Sequence, residues 1–174
     1  MKLTFELARL EHAKAIERMR NEASMDLTTK IGIGHWSGKS RVASIRERIE
    51  LADPTILRHR TIYVATRDGE AVGSVVVSTY PIGFWKKEYW QDPAVMGLGA
   101  YGLTVFPSLQ GQGVGRFLME EVEQLARDHL IPFVRLDAYL ANPFSTAFYR
   151  KLGYEERREI DVRGVRLILF EKRV

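Results

Sequence analysis

The chain has 174 residues, of which 45% are hydrophobic and 28% are charged, and this composition argues against a disordered protein. It contains no cysteine, which excludes a disulfide framework, a thiol nucleophile and a thiolate metal site. The formal net charge is +4, but 26 basic residues are interleaved with 22 acidic ones. The charge pattern therefore favours a mixed, solvated surface over a nucleic-acid-binding face.

The length favours one domain over residues 1–174. No apolar run approaches the ~20 residues that cross a bilayer, and the N-terminus lacks the apolar stretch of a signal peptide. We therefore expect a cytoplasmic protein with no membrane partner. The histidines do not have metal-ligand spacing, so we expect no metal site; they are His12, His35, His59 and His129.

The first half of the chain is predicted to form a strand, two helices and a hairpin. Apolar residues at helical spacing indicate the helices, Ser40 is a candidate cap for the second helix, and Asp68-Gly69 is typical of a tight hairpin turn. In chain order, the predicted elements are a strand over 3–8, a helix over 11–27, a loop over 28–39, a helix over 40–52, and strands over 61–66 and 71–79.

A long loop over 80–97 follows, and long loops in compact domains are often functional. It contains four aromatic residues, which more often pack on their own domain or line a small-molecule pocket than stack on nucleobases; they are Phe84, Trp85, Tyr89 and Trp90. Residues 97–102 fit the G-x-G-x-x-G dinucleotide fingerprint. That fingerprint must open a helix, whereas this segment runs into a predicted strand, so we reject it.

The most informative stretch is 103–116, which is predicted to form a strand over Leu103–Phe106, a glycine-rich loop and the start of a helix. Pro107 ends the strand. Three glycines, at 111, 113 and 115, lie at or just before the helix N-terminus, where unpaired N–H groups and the helix dipole suit a phosphate. Glycine lets the backbone approach such a ligand closely, and Arg116 adds a positive charge.

The second half is predicted to continue with a strand, a helix and a final hairpin. Asn142 is a candidate N-cap with Pro143 in the first helical position, and Gly153 ends that helix. The predicted elements are a strand over 132–138, a helix over 143–152, and strands over 154–162 and 165–170 joined by Arg163-Gly164. The whole order is β-α-α-β-β-β-α-β-α-β-β, a mixed α/β domain.

Two segments carry a resemblance to a known family. Residues 110–115, Gln-Gly-Gln-Gly-Val-Gly, resemble the Q/R-x-x-G-x-G/A motif of the GNAT N-acetyltransferase superfamily. Residues 142–154 resemble a second segment of that family, with an asparagine, a Phe-Tyr pair and a Gly-Tyr pair at similar spacing. Both motifs occur in the family's order with a strand between them. Residues 60–174 resemble the family clearly, and residues 1–59 fit in pattern only.

The resemblance implies an acyltransferase fold with a mostly antiparallel sheet, flanked by helices and splayed at the strand 103–106. It implies direct transfer of an acetyl group from acetyl-CoA to a primary amine, with the Val105 amide stabilising the oxyanion and Tyr149 protonating the departing thiolate. The residues that it places at the cofactor are Leu103, Thr104, Val105, Gln110, Gly111, Gln112, Gly113, Val114, Gly115, Arg116, Asn142 and Tyr149.

Several points stay open at this stage. The general base is unassigned, with Glu88, Asp92, Asp137 and His35 as candidates by residue type. We expect the acceptor, a small-molecule or peptide amine, to bind between the 28–39 and 80–97 loops; polyamines, amino acids, aminoglycoside-like drugs and protein N-termini all fit. The alternative function is a non-catalytic acyl-CoA-binding sensor on the same fold. Base rates for homo-oligomers favour a dimer.

Overall fold

The computed structural model describes residues 2–55, 57 and 60–174, so His59 lies outside the described residues. The predicted order of elements is confirmed. The strands are β1 (Thr4–Leu7), β2 (Thr61–Arg67), β3 (Glu70–Ser78), β4 (Leu98–Val105), β5 (Phe133–Tyr139), β6 (Glu155–Val162) and β7 (Val165–Arg173). The helices are α1 (Ala13–Ile31), α2 (Val42–Glu50), α3 (Val114–Asp128) and α4 (Pro143–Lys151).

The seven strands form one sheet in the order β1-β2-β3-β4-β5-β7-β6. Every neighbouring pair is antiparallel except β4 and β5, which run parallel. The sheet is therefore mixed and mostly antiparallel, as predicted. The single parallel contact lies at its centre, and helix α3 makes the crossover that a parallel pair requires.

Helices cover both faces of the sheet because β2 and β3 are apolar on both sides. Ile62 and Val64 pack with Ile16 of α1 and Ile45 of α2. The alternate residues of the same strands pack in a second cluster with α3, α4 and β7; this cluster includes Tyr63, Ala65, Val75, Val77, Leu118, Met119, Tyr149 and Phe170. Strands buried on both faces are continuous apolar runs, which is how β3 reads in the sequence.

Both predicted hairpins are confirmed, and each turns on a residue pair with positive φ. Asp68 and Gly69 have φ values of 52° and 85°, and Arg163 and Gly164 have 54° and 83°. Two consecutive left-handed residues form the turn whose twist matches that of paired strands. Glycine in the second position removes the steric cost of that conformation.

The prediction for the start of α2 is wrong. Ser40 does not cap the helix: Arg41 is the N-cap residue, and the Val42 N–H instead donates to Glu17 Oε1 on α1 at 3.0 Å. Ser40 forms backbone hydrogen bonds with the Asn21 side chain. A carboxylate from the neighbouring helix thus replaces a local capping side chain. Because the two residues are distant in the chain, no local sequence pattern predicts this cap.

Two further boundaries differ from the sequence prediction. Helix α1 continues to Ile31, so the loop expected over 28–39 begins at Gly32, where φ is 88°. Strand β4 begins at Leu98 instead of Leu103, because its glycines conceal the strand pattern. A Cβ at Gly99 would lie 2.1 Å from the Tyr101 hydroxyl, so glycine here makes room for the tyrosine ring. The G-x-G-x-x-G segment thus lies largely in a strand, which confirms its rejection.

Candidate active site between β4 and β5

A gap opens in the centre of the sheet where β4 and β5 separate. The two strands pair only at Leu98–Val134 and Gly99–Arg135. From Ala100 onward, β4 pairs with β3 alone, so its other backbone edge has no strand partner. The separation predicted at 103–106 thus begins at Ala100. An unpaired strand edge can accept an extended ligand as if it were a further strand.

A β-bulge sits on this open stretch. Ser74 pairs with Thr104 and Val76 pairs with Tyr101, so two residues of β4, Gly102 and Leu103, face the single residue between them on β3. Gly102 has a φ of 54°, the left-handed conformation that glycine adopts readily. A bulge bends a strand and increases its local twist, which turns β4 away from β5.

The glycine-rich loop connects the end of β4 to α3 at the mouth of the gap. Gly111 and Gly113 have φ values of 77° and 85°, and Gly113 is the N-cap residue of α3. The Phe117 N–H donates to Gly113 O at 2.9 Å, so the preceding amides, from Val114 to Arg116, lie before the first helical hydrogen bond. No side chain caps this helix within the described residues. The glycines therefore lie at the helix N-terminus, as the sequence predicted, and the amides there have no helical acceptors.

The residues predicted from the first motif lie together around this loop. Val105 and Val114 are buried, whereas Leu103, Thr104 and Gly115 are partly buried. The exposed members are Gln110, Gly111, Gln112, Gly113 and Arg116. The Gln112 side chain donates to Ser108 O at 3.0 Å and so braces the loop. Arg116 lies 3.9 Å from Glu120 on the surface, a spacing that leaves its guanidinium accessible.

Gly73 in β3, which the sequence analysis did not single out, sets the position of α3. A Cβ at this residue would lie 2.8 Å from both Leu118 Cδ1 and Val114 Cγ1. Since Gly73 pairs with Val105, its missing side chain lets the first turn of α3 pack directly over the end of β4. An isolated glycine inside a strand pattern is a sign of such close approach.

Asn142 caps α4 as predicted. Its Oδ1 atom accepts hydrogen bonds from the Phe144 and Ser145 amides at 3.1 and 3.3 Å. The oxygen is therefore engaged in the cap, and any contact with a ligand falls to the Nδ2 group. Helix α4 carries Tyr149, whose ring is buried against Tyr154, Phe148 and Phe170.

Asp137 of β5 is the ionisable centre of the gap. Burial raises the pKa of its carboxyl to about 6, although a hydrogen bond from Trp85 Nε1 at 3.1 Å favours the charged form. Burial also raises the pKa of Tyr101, Tyr139 and Tyr149, and the Asp137 charge raises each of them further. A carboxylate with a pKa of about 6 that is surrounded by protonated phenols is suited to proton transfer near neutral pH.

The other base candidates lie in less suitable positions. Glu88 is exposed on a single helical turn, Lys87–Tyr89. Asp92 accepts the Ala94 amide at 3.1 Å and belongs to a local turn. His35 is exposed and stacks on Tyr139 with ring centroids 6.3 Å apart. Of the four candidates, Asp137 is the one whose pKa is raised by burial toward neutrality.

Of the two loops expected to flank an acceptor, one contacts this carboxylate and the other contacts Tyr139, two residues along the same strand. Trp85 of the 80–97 loop stacks on Tyr101 at 5.0 Å and donates to Asp137. Trp36 of the 28–39 loop packs edge-on against Tyr139 at 5.6 Å. Aromatic side chains therefore line the approach to Asp137 on the sheet face that α1 and α2 cover.

A buried ion pair, which the sequence analysis missed, anchors the 80–97 loop. Arg135 Nε donates to Glu171 Oε1 at 2.9 Å, and its two Nη atoms donate to the Asp92 and Val95 carbonyls. The second Glu171 oxygen accepts the Gln91 amide at 3.1 Å. Arg135 also lies over the Trp90 ring. The pair thus fixes the backbone of the loop that positions Trp85.

Comparison with known proteins supports the same assignment of fold. A model of the acetyltransferase (GNAT) family matches residues 18–154. A GNAT acetyltransferase structure from Streptococcus agalactiae is 18% identical with a TM-score of 0.76, and the match covers 99% of this chain and 95% of that chain. An N-acetyltransferase structure from Staphylococcus aureus is 15% identical with a TM-score of 0.74, and covers 99% of both chains.

A third similar structure is an acetyltransferase from Salmonella typhimurium, solved with its cofactor acetyl-CoA. It is 17% identical with a TM-score of 0.71, and the match covers 99% of this chain and 94% of that one. At these identities the structural matches show the fold, whereas the family model shows the family. Within the described residues, no helix is both long and apolar enough to cross a membrane.

Proposed function

The chain belongs to the GNAT acetyltransferase family, which uses acetyl-CoA, and we propose that it transfers the acetyl group directly to a primary amine held at Asp137. The observation that carries the proposal is the open β4 edge, which runs from the glycine-rich loop to a partly buried carboxylate among tyrosines. We further propose that residues 1–174 act as one N-acetyltransferase domain, since the seven strands form a single sheet.

The cofactor half of the site is assigned to the first motif and Asn142. The amides of Gly113, Val114 and Gly115 would hold the pyrophosphate, because they have no helical acceptors and lie at the positive end of the α3 dipole. The pantetheine arm would pair with the free edge of β4 over Leu103–Val105. Gln110, Gly111, Gln112 and Arg116 complete the rim of this cradle, and Asn142 would contact the arm through Nδ2.

Replacing Gly113 by valine should weaken acetyl-CoA binding by at least about 100-fold, because a Cβ in the cradle obstructs the phosphate and positive φ is unfavourable for a branched residue. Gly69→Val is a matched control. Both glycines have a φ of 85°, and a Cβ at either would meet nothing within 4 Å. Calorimetric titration should show the loss only at Gly113. If both variants bound acetyl-CoA with equal affinity, the glycine-rich loop would not be part of the cofactor site.

The catalytic half is assigned to Asp137 and Tyr149. Asp137 takes a proton from the acceptor ammonium, and the neutral amine then attacks the thioester carbonyl carbon. The C–N bond forms, the Val105 amide stabilises the oxyanion, and the C–S bond breaks. Tyr149 protonates the departing thiolate and recovers a proton from the nitrogen that has become an amide. Because burial strongly disfavours a tyrosinate here, these two transfers must be coupled.

Replacing Tyr149 by phenylalanine tests this assignment. The phenol contributes a proton that the phenyl ring lacks, while the packing against Phe148 and Phe170 is kept. We expect kcat to fall by about 100-fold or more and the acetyl-CoA affinity to stay unchanged. Steady-state release of CoA thiol, measured beside calorimetric titration, separates the two quantities. Unchanged turnover would exclude Tyr149 from the reaction.

A further inference from the structure

A cluster of arginines lies on the sheet face that α1 and α2 cover, which is the face where the acceptor is proposed to bind. Two adjoining cavities, of about 710 and 470 Å³, share Ser44 and Arg48 of α2 as lining residues. The side chains that line them include five cations but a single carboxylate, Glu47, within the described residues. The cations are Arg20, Lys39, Arg41, Arg48 and Arg60.

Like charges in this cluster destabilise one another. Burial, and next to it the charge of Arg48, lower the pKa of Arg20 to about 10. Burial and the charge of Arg60 lower the pKa of Arg48, which Glu47 only partly offsets. Arg20 Nη2 is buried without a hydrogen-bond partner. A buried donor on a charged group costs free energy unless an acceptor reaches it, so the cluster is suited to an anion.

The cluster connects to the proposed catalytic carboxylate through two aromatic residues. The Arg60 guanidinium lies 6.0 Å from the centroid of the Tyr101 ring. Tyr101 stacks on Trp85, and Trp85 donates to Asp137. An acceptor with its amine at Asp137 can therefore extend along Tyr101 to place a second group among the arginines. The α3 N-terminus lies across the sheet, since α3 packs on the face opposite α1 and α2.

We propose that the acceptor carries an anionic group, a carboxylate or a phosphonate, which Arg20, Arg48 and Arg60 bind. This inference rests on the proposed function and defines its substrate class. It selects amines whose acid group lies several bonds away from the nitrogen, such as ω-amino acids and their phosphonate analogues. Polyamines and aminoglycoside-like drugs are disfavoured, because additional positive charges would meet a cationic cavity.

The first test compares three amines with the same carbon chain: an ω-amino acid, the corresponding ω-aminophosphonate and the amine lacking the acid group. We expect acetyl transfer to favour one of the two acids, and the better acid identifies the anion. Arg48→Met should lower kcat/KM for that acid by about 10- to 100-fold and thereby remove the preference for it over the amine lacking the acid group. The matched control is Arg46→Met, an exposed residue of the same helix that lines neither cavity.

The second test needs no turnover. Inorganic phosphate, titrated calorimetrically into the protein saturated with acetyl-CoA, should bind the parent chain and the Arg46→Met variant but not Arg48→Met. Loss of phosphate binding in the presence of acetyl-CoA would mean that the cations hold the cofactor's own phosphate, and the proposal would be wrong. Acetyl transfer without a preference for acids would also overturn it. Arg48-dependent phosphate binding without any acetyl transfer would overturn only the proposed function.

Discussion

Replacing Asp137 by asparagine should lower kcat/KM for acetyl transfer by about 10²- to 10⁴-fold at neutral pH, which is the usual contribution of a general base. Asparagine has the same shape and can still accept the hydrogen bond from Trp85, so the site should keep its geometry. The acetyl-CoA affinity should therefore stay the same, because the proposed cofactor contacts lie on β4, the glycine-rich loop and α4. Loss of cofactor affinity equal to the loss of rate would contradict a purely catalytic role.

The pH dependence provides a second readout of the same residue. The base must be ionised, and burial places its pKa at about 6, so kcat/KM should rise with pH up to about 6 and then level off. The asparagine variant should lack this rise. If the profile of the parent chain were flat between pH 5 and 7, Asp137 would not be the group that accepts the proton.

Although Asp137→Asn should lower the activity, it should raise the stability of the fold. The folded-state pKa of Asp137 lies above its unfolded value of 3.8, so its ionisation destabilises the fold. This cost is absent below pH 3.8, grows as the pH rises to about 6 and is constant above that. Asp137→Asn should therefore stabilise the protein by about 1–3 kcal/mol at pH 8 and by little at pH 3.5. Urea unfolding at the two pH values measures the difference.

Replacing Glu171 by glutamine should destabilise the fold by about 3–5 kcal/mol, because Arg135 would be left buried with no counter-charge. Arg157, whose Nε lies 2.9 Å from the second Glu171 oxygen, would lose the same carboxylate. The two side chains are almost fully buried, at 9% and 0% exposure. The variant should also loosen residues 91–95, whose carbonyls accept from Arg135, and with them the wall that carries Trp85. We expect a higher KM for the amine and faster hydrogen exchange in the 80–97 loop.

Glu159→Gln provides the matched control for that experiment. Glu159 lies on β6 and pairs with Arg166 on β7, but the two side chains are 51% and 66% exposed. An exposed pair of this kind contributes about 0–1 kcal/mol. Chemical unfolding of both variants should therefore separate the buried pair from the surface pair. Equal stability losses would mean that burial does not govern the Arg135–Glu171 interaction.

Local signals in the sequence predicted the fold and the backbone geometry of the glycine-rich loop well. Asp68-Gly69 and Arg163-Gly164 turn the hairpins because their conformations depend on those residues alone. Asn142 caps α4 for the same reason. The 111–115 glycines start α3 through their own backbone geometry. The structure reproduces each of these features because each is determined within a few residues.

Features that depend on distant residues could not be predicted in this way. Asp137 was one of four base candidates, and only the separation of β4 from β5 and the contact with Trp85 distinguish it. The cationic cluster brings together α1, α2 and the residue before β2, which are far apart in the chain. In the sequence, Glu171 is a single charged residue that follows an apolar run, and only the fold shows that Arg135 lies beside it.

The most direct test of the whole account is the release of CoA thiol from acetyl-CoA in the presence of amines, with mass spectrometry of the product. We expect release that requires both substrates, yields an acceptor carrying one acetyl group, and increases with pH up to about 6. Tight binding of acetyl-CoA with no amine-dependent release would contradict the account. It would favour the alternative of a non-catalytic acyl-CoA sensor built on the same fold.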